Sequence, residues 1–244
     1  WLTYTINMYL AKILIKKFDG VMVVSMTLAE KIDKQFKGIR HLMVVPQYCE
    51  VSPQQRDYSV GDPLILLSVT NLSFKEKANG VIWLINQVNL YAKTINTCIT
   101  YRIAGGGVHL SDVSSHLFRL DRAPNLTVIL DGFVQDIEAM YLQADIFLYY
   151  SDHDELPNTI LEAKRFGMPM IVNECKQFRA VVTDKVSGML FKNEQEFLLQ
   201  LSEFVSDKYK RKTHGMAAKK ELAKNNSFST IQKLLEHELE KYLA

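Results

Sequence analysis

Two carboxylates eight residues apart, Asp154 and Glu162, flank a short polar run whose residue types could do chemistry. The stretch from Asp145 to Asn173 reads DIFLYYSDHDELPNTILEAKRFGMPMIVN. A carboxylate accepts hydrogen bonds from hydroxyls such as those of a sugar or a ribose, and the unpaired amides at a helix N-terminus hold phosphate. Glu162 falls one helical turn after Asn158, which puts its carboxylate on the face that looks back at the loop. The same residues also read as an acidic loop in water with a surface glutamate, and spacing alone does not choose.

The elements that must position them are legible on both sides. Ile146 to Tyr150 is an apolar run too short for a helix and rich in strand formers, which predicts a buried strand ending at Ser151. Pro157 suits the first helical position, where its missing N–H would be unpaired anyway, and Ile160, Leu161 and Ala163 supply an apolar face. Gly167 can close that helix in a left-handed cap, Pro169 blocks continuation, and Met170 to Val172 read as a second buried strand. In open parallel sheets ligands sit outside the carboxyl ends of strands, which is where the Asp154 to Thr159 loop falls.

From Pro63 onwards strands and helices alternate regularly, the pattern of an α/β chain with a doubly wound, Rossmann-like parallel sheet. Leu64 to Val69 is a continuous apolar strand, followed by a polar loop and a helix carrying Val81, Leu84, Ile85 and Val88, with Lys77 just before it. Cys98 to Ala104 form the next strand, ending in Gly105-Gly106-Gly107. That run is not a dinucleotide fingerprint, because the pattern breaks at His109-Leu110 and the strand is not the first of its domain. Leu126 to Leu130, closed by Asp131 to Val134, gives a further strand, and Gln135 to Leu142 a helix.

Outside this region the signals are coarser. Leu2, Ile6, Leu10, Ile13 and Leu14 predict a helix packed on a sheet, with an interfacial membrane helix as the alternative; Thr3, Thr5, Asn7 and Lys12 interrupt the stripe and argue against a membrane span. Val21 to Val24 and Leu42 to Val45 read as strands, and Thr27-x-x-Glu30 as a capping box. The Pro- and Ser-containing stretch from Pro46 to Pro63 reads as a linker. Glu194 to Val205 predicts a helix, the Lys208 to Lys212 run a solvated helix face, and Ile231, Leu234, Leu235, Leu239 and Leu243 a last helix.

Composition sets the outer bounds. With 48% hydrophobic residues in 244 the chain can bury a substantial core, and a net charge of +2 gives no reason to expect nucleic acid. Cys49, Cys98 and Cys175 are scattered without ligand spacing, which fits unpaired thiols in a reducing cytoplasm. His153 has no Cys or His partner at useful spacing, so no metal site is expected.

The segment D-x7-E, with the inner run LPNTILEAKRFGMPMI, resembles the E-x7-E segment of retaining GT-B glycosyltransferases of the family-four, glycosyl-group-1 type. In that family it often reads E-G-x-P-N-x-x-L-E-A-x-x-x-G-x-P-V-I. The resemblance implies that Glu162 binds the ribose of a nucleotide-sugar donor and that Asp154 faces the transferred sugar, on an arm shorter than Glu by roughly 1.5 Å. It also puts Glu155 where glycine is usual. Leu156, Pro157, Asn158 and Thr159 become the helix terminus at the diphosphate. Lys77, with Gly80, becomes the phosphate-neutralising cation. Asn71 stands in place of a second, an arginine, and Ala180 in place of a glutamate. Gly106 belongs to an I-x-G-x-G turn, and Phe133 and Val134 flank the nucleobase, with a core side chain as the alternative for Phe133.

FDGVMVVSMTLAEKI through HLMVVPQ resembles the last strands and helix of the N-terminal domain in the same family. The resemblance therefore divides the chain into residues 1–47 as the end of an acceptor domain, 48–225 as the donor domain, and 226–244 as a helix crossing back. It implies transfer of a sugar from a nucleotide donor to a glycan or lipid-linked acceptor without cofactor or metal, in polysaccharide or cell-envelope assembly. The place would be the cytoplasm, with peripheral attachment to the inner face of the membrane. A catalytically silent subunit and a sugar-nucleotide epimerase are the alternatives.

Overall fold

The computed structural model describes residues 9–152, 154 and 158–243. They divide into two units, Trp1–Glu50 with Lys224–Ala244, and Val51–Ala223. The larger unit is built on a six-stranded sheet in which every pairing is parallel. Its strands are β3 (Leu64–Val69), β4 (Ile99–Ala104), β5 (Leu126–Gly132), β6 (Ile146–Tyr149), β7 (Met170–Asn173) and β8 (Met189–Phe191). They lie in the order β5-β4-β3-β6-β7-β8. The chain therefore builds outward from β3 through β4 to β5, then returns to lay β6 against the other side of β3. That reversal opens a crevice at the carboxyl ends of β3 and β6, the usual ligand position in such sheets.

The reason β3 sits in the middle is its composition. Leu64, Leu66 and Leu67 are all fully buried, so the strand feeds cores on both faces of the sheet. On one face Leu64 and Leu66 join Val81, Leu84, Ile85 and Val88 of α2 (Lys75–Ala92) and Phe197, Leu201 and Phe204 of α7 (Glu194–Ser206). On the other, Leu67 packs with Phe147 and Tyr149, with Met140 and Tyr141 of α4 (Ile137–Gln143), and with Ile160 and Ala163 of α5 (Asn158–Arg165). The Val, Leu, Ile, Phe and Met side chains among them each contribute about 1.5–3 kcal/mol on burial. Helix α2 approaches the sheet closely because Gly80 has no Cβ, which would lie 2.4 Å from the Tyr150 carbonyl oxygen. Lys77 falls inside the first turn of α2 and not before it.

Helix α5 ends as its sequence predicts. Gly167 takes a φ of +62°, and Met168 N–H returns to the Ala163 carbonyl at 2.9 Å. The boundary between the units falls after Glu50, within the Pro46 to Pro63 stretch expected as a linker, and residues 51–63 strap helices of the larger unit together. The Arg56 guanidinium donates to the carbonyls of Phe166, Ala144 and Tyr141, which lie at or just beyond the carboxyl ends of α4 and α5. Tyr58 donates to Gly167 O at 3.0 Å, and Arg211, buried in α8 (Lys208–Asn226), holds the Tyr58 carbonyl in turn.

In the smaller unit β1 (Val21–Val23) and β2 (Leu42–Val44) form a parallel pair. Between them, α1 (Met26–Gln35) is capped by Ser25, whose hydroxyl accepts from Leu28 N–H at 3.1 Å. Thr27, expected as the cap, is instead a buried residue of the helix; the chain is still extended at Ser25, so the serine reaches the orphan amides first. Residues 9–14 are helical and run into a 3-10 turn at Ile15–Lys17. Their apolar stripe is not packed on a sheet as expected, since Leu10, Ile13 and Leu14 are 44–50% exposed. The last helix, α9 (Phe228–Leu243), has its first amide bonded to the Glu50 carboxylate at 2.9 Å. Among the described residues no helix is long and apolar enough to cross a membrane.

Candidate functional site

At the carboxyl ends of β3 to β6 lies a cleft of about 700 Å³. Of the residues singled out from sequence, Asn71, Lys77, Gly106, Phe133, Val134, Asp154, Asn158, Thr159 and Glu162 all line it. Glu155, Leu156, Pro157 and His153 lie outside the described residues.

The glycine run after β4 brings two loops together. Beyond the strands, Thr70 N–H bonds to Ala104 O, Leu72 N–H to Gly106 O and His109 N–H back to Leu72 O, at 2.9–3.0 Å. Such contact leaves no room for side chains. A Cβ on Gly105 would lie 1.7 Å from Thr70 O and one on Gly107 2.1 Å from Leu72 C, and their φ values of +143° and +147° also favour glycine. All three glycines line the cleft, but Gly106 differs in having nothing nearer to its missing Cβ than Phe133 N at 3.8 Å, so its Cβ position is open.

The charged groups pair across the cleft. Lys77 Nζ lies 2.8 Å from Asp154 Oδ2, so two residues expected to serve different parts of a ligand contact each other. The same Oδ2 accepts from the Tyr149 hydroxyl at 2.5 Å. Burial, together with the adjacent Asp154 charge, pushes the Tyr149 phenol well above the usual tyrosine range, so it stays protonated and donates. Glu162 is held in the same manner, Oε2 accepting from Tyr141 at 2.7 Å. Neither tyrosine stood out in the sequence, because both sit in apolar runs that read as core. Their rings are indeed core, and only the hydroxyls reach the carboxylates.

Lys77 is the one cation among the described lining residues. Asn71, standing where a second was expected, folds its Oδ1 onto Ser73 N–H at 2.9 Å and turns its own loop. A bound anion must therefore lean on backbone amides, of which the cleft offers Gly106 and the N-terminal turn of α5. The Thr70 hydroxyl, buried on the cleft floor, has no protein partner. Phe133 is 87% exposed and so is not a core residue; it follows Gly132, whose φ of +65° turns the chain at the end of β5. An exposed aromatic face on a cleft wall suits stacking on a planar ring. Ser151 and Asn173 exchange hydrogen bonds at 2.9 and 3.1 Å, anchoring the loop that carries Asp154 to β7.

Residues 63–207, more than half of the chain, match the family model described as glycosyl transferases group 1. The chain belongs to this family. No curated protein matches it significantly. Among solved structures, a point mutant of TarM of S. aureus, in a complex that includes UDP, superposes with a TM-score of 0.78 at 14% identity, covering 92% of this chain and 44% of its own. HepE of Anabaena, in complex with UDP and glucose, gives a TM-score of 0.78 at 18% identity, covering 96% of this chain and 66% of its own. The pneumococcal O-GlcNAc transferase GtfA, in complex with UDP and GlcNAc, gives 0.72 at 18%, covering 96% and 47%. At such identities the likeness is one of fold. The group 1 chain described here spans about half to two thirds of those neighbours' lengths.

Proposed function

We propose that the cleft is the donor site of a retaining glycosyltransferase and binds a nucleoside diphosphate sugar. The observation that carries this reading is the meeting, at the reversal point of a parallel sheet, of Glu162, Lys77, an open glycine backbone and an exposed Phe133. Glu162 accepts from the ribose hydroxyls, Phe133 and Val134 flank the base, and Asp154 faces the sugar. The diphosphate rests on Lys77, Gly106 and the Asn158–Thr159 turn. Charge that develops on the leaving diphosphate is met by these fixed donors, which need no metal to act. UDP sugars are the first donors to test, because TarM, HepE and GtfA are each described with UDP.

The acceptor is a glycan or a lipid-linked saccharide, and the setting polysaccharide or cell-envelope assembly at the cytoplasmic face of a membrane. Residues 1–47 and 226–244 are assigned to an acceptor domain, a division supported by the grouping of Trp1–Glu50 with Lys224–Ala244.

Lys77 provides the test. Lys77→Ala is expected to weaken nucleoside diphosphate binding at least tenfold, on the order of the 1.5–3 kcal/mol of a charged hydrogen bond, and to leave the bare nucleoside unaffected. Chelator is expected to change neither affinity. Equal losses for the two ligands would reduce Lys77 to a structural lysine. A second reading, a subunit that binds donor without turnover, is favoured by the Lys77–Asp154 pair, which ties the one cation among the described lining residues to a carboxylate. Intact donor binding with no acceptor-dependent or hydrolytic turnover in the full-length protein would select it.

A further inference from the structure

The two carboxylates of the cleft share a feature that the donor-site reading does not use. Each is held on one oxygen by the hydroxyl of a buried tyrosine from a different element of the sheet's second face. Tyr141, fully buried in α4, donates to Glu162 Oε2 at 2.7 Å; its contact to Thr159 O, at 3.4 Å, is much longer, so the proton belongs to the carboxylate. Tyr149, 2% exposed at the end of β6, donates to Asp154 Oδ2 at 2.5 Å. These are the lengths of charge-assisted O–H···O bonds. The rings are fixed by stacking that does not involve the hydroxyls: Tyr141 lies against Phe166 with centroids 5.4 Å apart, and Tyr149 against Phe147 at 6.2 Å and edge-on to Phe178 at 5.7 Å. Each hydroxyl is thus a rigid peg at the cleft wall, placed by the core.

We propose that Tyr141 and Tyr149 are paired positioning residues of the donor site, the first orienting Glu162 for the ribose and the second orienting Asp154 for the transferred sugar. The proposal rests on the donor-site reading above. Among the described residues Oδ2 of Asp154 is taken by Tyr149 and Lys77, which leaves Oδ1 to a sugar hydroxyl, and Oε2 of Glu162 is taken by Tyr141, which leaves Oε1 to the ribose. The pairing divides recognition cleanly: Tyr141 serves the nucleoside and Tyr149 serves only the sugar. It also accounts for two tyrosines in core positions where phenylalanine would pack as well.

Phenylalanine substitutions remove only the pegs. The four nucleoside diphosphates UDP, GDP, ADP and dTDP are titrated calorimetrically into the wild type. The one held tightest is compared with its glucose, galactose and N-acetylglucosamine conjugates. Tyr141→Phe is expected to weaken the diphosphate and the tightest conjugate alike, by roughly tenfold, the scale of one charge-assisted hydrogen bond. Tyr149→Phe is expected to weaken the conjugate by a similar factor and to leave the diphosphate within about twofold on the same scale. A role exerted through the carboxylate has a further signature: Tyr141→Phe adds no loss in a Glu162→Ala background, and Tyr149→Phe none in an Asp154→Ala background. Unchanged affinities in both single variants, or losses that simply add in the double variants, would overturn the proposal while leaving the cleft a donor site. A wild type that binds none of the four diphosphates overturns the donor site itself and this pairing with it.

Discussion

Glu162 illustrates how much of the site a single residue type reveals. Its spacing from Asn158 placed it on the cleft face, and it is there. What spacing could not reveal is its partner, because Tyr141 is distant in sequence and reads as a core aromatic. The same holds for Asp154, whose contacts with Lys77 and Tyr149 depend on how β6 meets β3. Another residue that composition leaves unremarked is His214, buried on α8 with its ring edge-on to Phe204 and its Nδ1 without a partner. Burial pushes its imidazole below the usual histidine range, so the folded chain keeps it neutral where the unfolded chain takes up a proton. With the folded value depressed, the unfolded state binds more protons below about pH 6.5, and stability falls as pH is lowered through that region. Urea midpoints measured from pH 7 to 5.5 are expected to drop in the wild type and to drop less in His214→Gln. Parallel slopes would remove His214 as a cause.

The glycines after β4 show what an element can demand. Their number was plain in the sequence, and so was their place at a strand end. Their separate duties were not, since they depend on the loop after β3 lying alongside. Gly105→Ala forces a Cβ onto Thr70 O at a positive φ. It is expected to destabilise the fold by roughly 1–3 kcal/mol and to pull the two loops apart. Gly106→Ala meets only open space beyond Phe133. It is expected to leave the melting temperature nearly unchanged while weakening nucleotide binding, by adding a methyl group to a glycine that lines the cleft. Thermal unfolding and titration of the two variants separate the effects, and similar melting temperatures would show that the loops do not pack as described. Strands β3 to β7 were otherwise legible, because they alternate with amphipathic helices; β8 and the helices Leu110–Arg119 and Lys176–Arg179 were not, being short. The strap at residues 51–63 was not, because Arg56 and Tyr58 act on carbonyls far along the chain. Ser25 displaced Thr27 as a cap for the opposite reason, a local matter of where the extended chain turns.

At the scale of the molecule, the described residues that line the cleft belong wholly to the unit Val51–Ala223, which carries the six-stranded parallel sheet and the family match. Sugar transfer asks for more, since the acceptor hydroxyl must be held against the donor carbon, and such positioning supplies roughly 7–11 kcal/mol of a barrier. Nucleotide binding, not transfer, is therefore the property for which the cleft by itself must answer. The most direct measurement is calorimetric titration of a nucleoside diphosphate, which carries ribose and phosphates but no sugar, into the wild type, Glu162→Ala and Asp154→Ala. Removing Glu162 takes away the proposed ribose acceptor and is expected to cost about 1.5–3 kcal/mol of binding. Removing Asp154 takes away a proposed contact to a sugar that this ligand lacks and frees Lys77 from its ion pair, so affinity is expected to hold or rise. Equal losses in the two variants, or a wild type that binds no nucleoside diphosphate, would contradict the account.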